Sequence, residues 1–98
     1  MKIELSKILD LLRELNPLLQ AQYKVETLEL FGSYTKNKQK SNSDLDLLVT
    51  FKETPSLLKF IELENFLSDR IGVKVDLVIR DDIKPRLRHS ILKHSILV

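Results

Sequence analysis

The sequence predicts an α/β fold, a single small domain over residues 1–98 with a mixed β-sheet flanked by helices. Three observations lead there. Stretches with the three-four apolar spacing of helices alternate with stretches of two-residue period. One alternation, over 44–79, is a strand–helix–strand unit, whose two strands should be parallel neighbours joined right-handedly. Finally, 98 residues, 43% apolar and 31% charged, enclose one hydrophobic core and leave no mass for a second domain.

Leu5, Ile8, Leu12, Leu15 and Leu19 trace the first helix, which Pro17 is expected to kink or end. Residues 27–32 read as a strand. A second strand over 44–51 sets Leu45, Leu47, Val49 and Phe51 against Asp44, Asp46, Leu48 and Thr50. Thr54 as N-cap, Pro55 as first helical residue and Gly72 just past the end frame a helix carrying Leu57, Ile61, Phe66 and Leu67. The third strand, 73–79, puts Val73, Val75, Leu77 and Ile79 on one face and Asp76 and Val78 on the other. A basic helix over roughly 83–93 and a short apolar tail follow. About a dozen residues join 27–32 to 44–51, too short for a comfortable parallel crossover, so the sheet is expected to be mixed.

Composition removes several function classes. Gly32 and Gly72 are the only glycines, so neither a three-glycine dinucleotide fingerprint nor a Walker loop can be built. Cysteine is absent, which excludes disulfides, thiolate zinc sites and thiol nucleophiles. His89 and His94, five apart, do not stack on one helical face and read as surface histidines rather than a zinc pair. Glu4 and Asp10 break any signal-peptide pattern, and no apolar run nears the ~18 residues of a membrane span, so a soluble, cytoplasmic protein is expected. Sixteen Lys and Arg against fourteen Asp and Glu give +2, too mild a balance to imply direct nucleic-acid binding. The basic residues do cluster, as Lys36, Lys38 and Lys40 and again as Lys84, Arg86, Arg88 and Lys93. Such runs are ordinarily solvated faces.

The acids are placed less ordinarily. Asp44 and Asp46 lie two apart on a strand, so both leave the same face at roughly 6.5 to 7 Å spacing. An isolated pair of this kind is usually a solvent-facing edge. Here Leu47, Leu48 and Val49 follow, and charges beside so apolar a segment are costly unless paired or bound to cations. Asp76, between Val75 and Leu77 in the strand expected alongside, can point to the same patch. Three converging carboxylates raise one another's pKa unless something positive sits between them. Magnesium suits the site, because it prefers oxygen ligands and bridges carboxylates to phosphates. Gly32 and Ser33 end the first strand, where a glycine lets the backbone approach an anion and the hydroxyl donates to it. Taken alone, the two are better read as a turn and a helix cap.

Gly32-Ser33, ten residues from Tyr34 to Ser43, and then Asp44-Leu45-Asp46 together resemble the signature of the DNA polymerase β-like nucleotidyltransferases. Within that superfamily the chain is similar to the minimal nucleotidyltransferases, stand-alone proteins of about this size, and the resemblance covers the whole chain. Asp76 matches the third acid, expected in a strand about thirty residues on. Other D-x-D enzymes, such as haloacid-dehalogenase-type phosphatases and many glycosyltransferases, set the apolar strand before the acids; here it follows them. One departure is Lys36-Asn37, where relatives commonly carry Arg-Gly. Asn tolerates the left-handed backbone a glycine would supply, and Lys keeps the charge without the bidentate fork.

The resemblance implies a polymerase β-like fold and a division of labour. Gly32, Ser33 and Lys36 would hold the triphosphate of ATP. Asp44 and Asp46 would bind two magnesium ions, and Asp76 would complete the metal site and help activate the attacking hydroxyl. It also implies a partner: such proteins are often antitoxins that transfer AMP from ATP to a tyrosine of a HEPN-type RNase toxin. On the same view Arg86 and Arg88 belong to a partner surface or reach the triphosphate, unless they are a solvated face. Two alternatives stand beside this one: transfer to a small molecule or an RNA end, and a non-catalytic antitoxin acting by binding alone. The last makes poor use of three unpaired carboxylates on apolar strands.

Overall fold

The computed structural model describes residues 4–32 and 44–98. Helix α1, Leu5–Tyr23, buries Ile8, Leu12, Leu15, Leu19 and Tyr23, one residue for each three- or four-residue step. Pro17 lies inside it and does not end it. The expected break fails because Leu19 and Tyr23 extend the buried stripe beyond the proline, and their burial outweighs one missing backbone hydrogen bond. The helix stops at Lys24, whose left-handed backbone (φ 58°) lets its N–H reach the Leu19 carbonyl.

Four strands follow: β1 Val25–Phe31, β2 Leu45–Phe51, β3 Val75–Ile79 and β4 Ile96–Leu97. They lie in the order β3-β2-β1-β4, with β2 and β3 parallel and the β1–β2 and β1–β4 pairs antiparallel. The mixed sheet and the parallel neighbours expected from 44–79 are both present. Both flanking strands begin later than their apolar pattern suggested, β2 at Leu45 and β3 at Val75, and the apolar tail pairs with β1 as a short strand.

Helix α2, Leu57–Ile71, starts two residues later than expected. Ser56, not Thr54, accepts the Lys59 N–H at 3.2 Å, which leaves Pro55 ahead of the helix. Gly72 ends it as expected, with φ 84° and its N–H on the Ser68 carbonyl. The buried face also differs from the one expected. Leu63, Leu67 and Ile71 enter the core, whereas Leu57 and Ile61 are exposed. Two α2 side chains also reach the outer edge of β3: Ser68 Oγ accepts the Val75 N–H and Glu64 Oε2 accepts the Leu77 N–H, each at 2.9 Å.

Helices α1 and α2 cover one face of the sheet and enclose Leu28, Leu30, Leu45, Leu47, Val49, Val75 and Leu77. The other face is crossed by a 3-10 turn, Arg80–Asp82, and by helix α3, Pro85–Lys93. No helix among the described residues is long and apolar enough to cross a membrane.

Candidate active site

Register places the acids. Phe31, Asp46 and Asp76 are partners across β1, β2 and β3, so their side chains leave the same face in one row about 4.8 Å apart per strand. Asp44 stands just before β2, half exposed, with its Oδ2 4.0 Å from Lys74 Nζ. The structure therefore brings Asp44, Asp46 and Asp76 to one end of one face. Ser33, Lys36 and Asn37 lie outside the described residues.

Asp46 is the most constrained of the three. Burial, then the neighbouring Asp76 and Asp44 carboxylates, push its pKa up to about 6. Gly32, at φ 84°, passes directly over it: a Cβ there would collide with Asp46 Oδ2 and stand 3.1 Å from its Cγ. Only a glycine lets the end of β1 lie so close to the carboxylate. The Gly32 backbone and the crowded carboxylates thus meet at one point.

The donor set suits a hard, oxygen-seeking cation: carboxylates that repel one another, with Lys74 beside Asp44. Among the described residues, no three carboxylates or imidazoles are grouped tightly enough to hold an ion by themselves. Magnesium ordinarily completes its shell with waters and substrate phosphates, so this partial set remains compatible with it.

The basic C-terminal segment contributes something the sequence reading did not find. A cavity of about 450 Å³ opens beside the acids, lined by Phe31, Asp46, Asp76, Val78, Asp82, Ile83, Lys84, Leu87 and Ile91. Leu87 and Ile91 are four apart, one helical turn, and that spacing was the available signal. Arg86 and Arg88 do not line this cavity. Arg88 instead donates through Nη2 to the Ile83 carbonyl at 3.3 Å. His89 and His94 are both exposed. Glu29, only 14% exposed, anchors the segment at both ends: Arg80 Nε lies 3.6 Å from its Oε1, and Ser95 Oγ lies 3.0 Å from its Oε2.

Comparison with known proteins adds an independent line. Residues 13–98 match the family model described as Polymerase beta, Nucleotidyltransferase. A Methanocaldococcus jannaschii protein provisionally named a protein adenylyltransferase is 50% identical over 95 residues, covering 96% of this chain and 97% of that protein. A structure described as a minimal nucleotidyltransferase superposes with a TM-score of 0.79 at 35% identity, covering 96% of this chain and 95% of the other. A toxin–antitoxin structure with AMP-PNP gives a TM-score of 0.68 at 29% identity, with 94% and 69% covered. A third structure, a tri-AMPylated Shewanella oneidensis HEPN toxin in complex with an MNT antitoxin, gives 0.59 at 26% identity, with 94% and 66% covered.

Proposed function

We propose, from the premise that this chain belongs to the polymerase β nucleotidyltransferase family, that it transfers AMP from ATP to a tyrosine hydroxyl of a partner protein. The partner would be a HEPN-type RNase toxin that the chain neutralises as its antitoxin, and the reaction would take place in the cytoplasm. The carrying observation is the Asp46–Asp76 pair in register, with the Gly32 backbone pressed onto Asp46. The adenylyltransferase naming of the 50%-identical relative and the toxin–antitoxin assemblies of the structural neighbours support the acceptor class.

In the reaction, the acceptor oxygen forms a bond to the α-phosphorus of ATP while the bond from that phosphorus to the bridging β-phosphate oxygen breaks. Pyrophosphate leaves with the electron pair, and the hydroxyl proton passes to water. Magnesium, held by Asp44, Asp46 and Asp76 together with the phosphates, would supply charge stabilisation at the attacking and leaving oxygens. Gly32 and Ser33 donate to the phosphate tail, and Lys36 neutralises part of its charge. Asp76 orients the acceptor hydroxyl. Three carboxylates and a backbone turn suffice, because phosphoryl transfer asks for positioning and electrostatics rather than a nucleophilic side chain.

Intact mass spectrometry of the purified partner toxin, after incubation with the protein, ATP and magnesium, tests this. The expected result is a gain of AMP with the wild type and at least a 100-fold slower gain with Asp76→Ala, whose complex with the toxin still forms. Undiminished transfer by Asp76→Ala would overturn the metal-site assignment. Transfer to an RNA end or a small molecule instead would redirect the acceptor, and neutralisation without any transfer would leave a binding-only antitoxin.

A further inference from the structure

The 450 Å³ cavity is larger and more apolar than the positioning of ions requires. Five of its nine lining residues, Phe31, Val78, Ile83, Leu87 and Ile91, are apolar. Leu87, 48% exposed, is one of these apolar lining residues.

Resting on the reading above, we propose that this cavity seats the aromatic ring of the acceptor tyrosine, with Ile83 and Leu87 as its specificity-determining residues. The order of strands supplies the direction. Gly32 ends β1, Asp46 stands on β2 and Asp76 on β3, the outermost strand on that side. In-line displacement requires the attacking oxygen and the leaving pyrophosphate to lie on opposite sides of the α-phosphorus. With the phosphate tail at the Gly32 end and the α-phosphorus over Asp46, the attacking oxygen stands over Asp76. There the chain runs on from Val78 of β3 to Asp82, Ile83 and Lys84, which line the cavity with Leu87, while Phe31 and Ile91 line it toward β1.

The chemistry of the walls fits the same occupant. A phenol has an apolar body and one polar tip, and this cavity sets five apolar side chains beside Asp46 and Asp76. Serine or threonine would leave the walls wet and gain nothing from them. A purine carries several donors and acceptors around its edge, and among the described lining residues the polar side chains away from the two catalytic acids are Asp82 and Lys84.

Two measurements test the seat, using methyl-labelled wild-type protein and two probes, N-acetyl-L-tyrosinamide and adenosine. The first is an NMR titration. The tyrosine probe is expected to shift the Ile83, Leu87 and Ile91 methyl resonances saturably, and adenosine to leave them in place. Shifts caused by adenosine, or none caused by the tyrosine probe, would overturn the proposal. The second is kinetic, with N-acetyl-L-tyrosinamide as acceptor. Leu87→Asp should raise the acceptor KM at least tenfold while the KM for ATP stays within twofold. A rise in the KM for ATP instead would assign the cavity to the nucleotide. Leu87→Ala, with an expected rise of a few-fold, replaces the charged variant should that fail to fold. If the wild type transfers AMP to no acceptor, the enzymatic reading fails, and the titration alone still decides whether the cavity binds a phenol.

Discussion

Along β2, Leu45, Leu47 and Val49 point under α1 and α2 and are fully buried, while Asp46, between the first two, points the other way with its pKa pushed up to about 6. One strand therefore builds the core with one set of alternate residues and the site with the other. On the helical face, position is enforced by packing, and the residues are interchangeable in kind. On the other face, position is enforced by the same backbone, but Asp46 and Asp76 are there despite their electrostatic cost. The rigidity of the first face is what keeps three mutually repelling carboxylates together on the second.

The contrast makes a large difference measurable between neighbours. Leu47→Ala should cost about 3 kcal/mol of folding stability, because it empties a fully enclosed site under α1 and α2. Urea denaturation with an unchanged m-value is the measurement. A loss below about 1 kcal/mol would show that the helical face is looser than its burial implies.

A smaller effect is expected where the faces meet the loop. Gly32→Ala forces a Cβ into the Asp46 carboxylate at a backbone angle that non-glycine residues rarely adopt. Stability should fall by about 1–2 kcal/mol and the rate of AMP transfer by at least about tenfold, read from a melt and an initial-rate assay on one preparation. A normal rate would mean that the close approach of backbone to acid is incidental.

The smallest effect concerns charge alone. Asp46 takes up its proton more readily in the folded chain than in the unfolded one, where its pKa is 3.8. The folded state therefore loses stability as pH rises from about 4 to about 6 and keeps the full penalty above that range. Asp46→Asn, without metal or nucleotide, should leave stability unchanged near pH 3.5 and raise it by about 1 kcal/mol at pH 7.5, after allowance for solvent screening. Denaturant midpoints at the two pH values test this. A variant less stable than the wild type at pH 7.5 would assign Asp46 a structural role.

Much of this was legible before any coordinates, for local reasons. The two-residue period gave β2 and β3, Gly72 gave the end of α2, and the short link between β1 and β2 gave the mixed sheet. Asp44, Asp46 and Asp76 were legible as a set because charge beside Leu47 and Leu77 is anomalous in any fold. What escaped depended on tertiary contacts. Pro17 was overridden by the burial of Leu19 and Tyr23 further along α1, and the tail became β4 only because β1 had a free edge. The cap of α2 lies at Ser56 rather than Thr54, and its buried face runs through Leu63, Leu67 and Ile71, which only packing against α1 and the sheet selects. The approach of α3 to the acids was hidden because just Leu87 and Ile91 mark its inner side, and they meet Asp46 and Asp76 only around a shared cavity.

The two hydrogen bonds from the outer edge of β3 into α2 bear on how a second chain can attach. Edge strands invite pairing because their outward donors and acceptors stand ready for another backbone. On β3 the Val75 and Leu77 donors are already taken by Ser68 and Glu64. An incoming strand would have to displace two side chains from its own docking line. Assembly by strand addition is thereby discouraged beside Asp76, and a protein that approaches this edge must be recognised by its side chains.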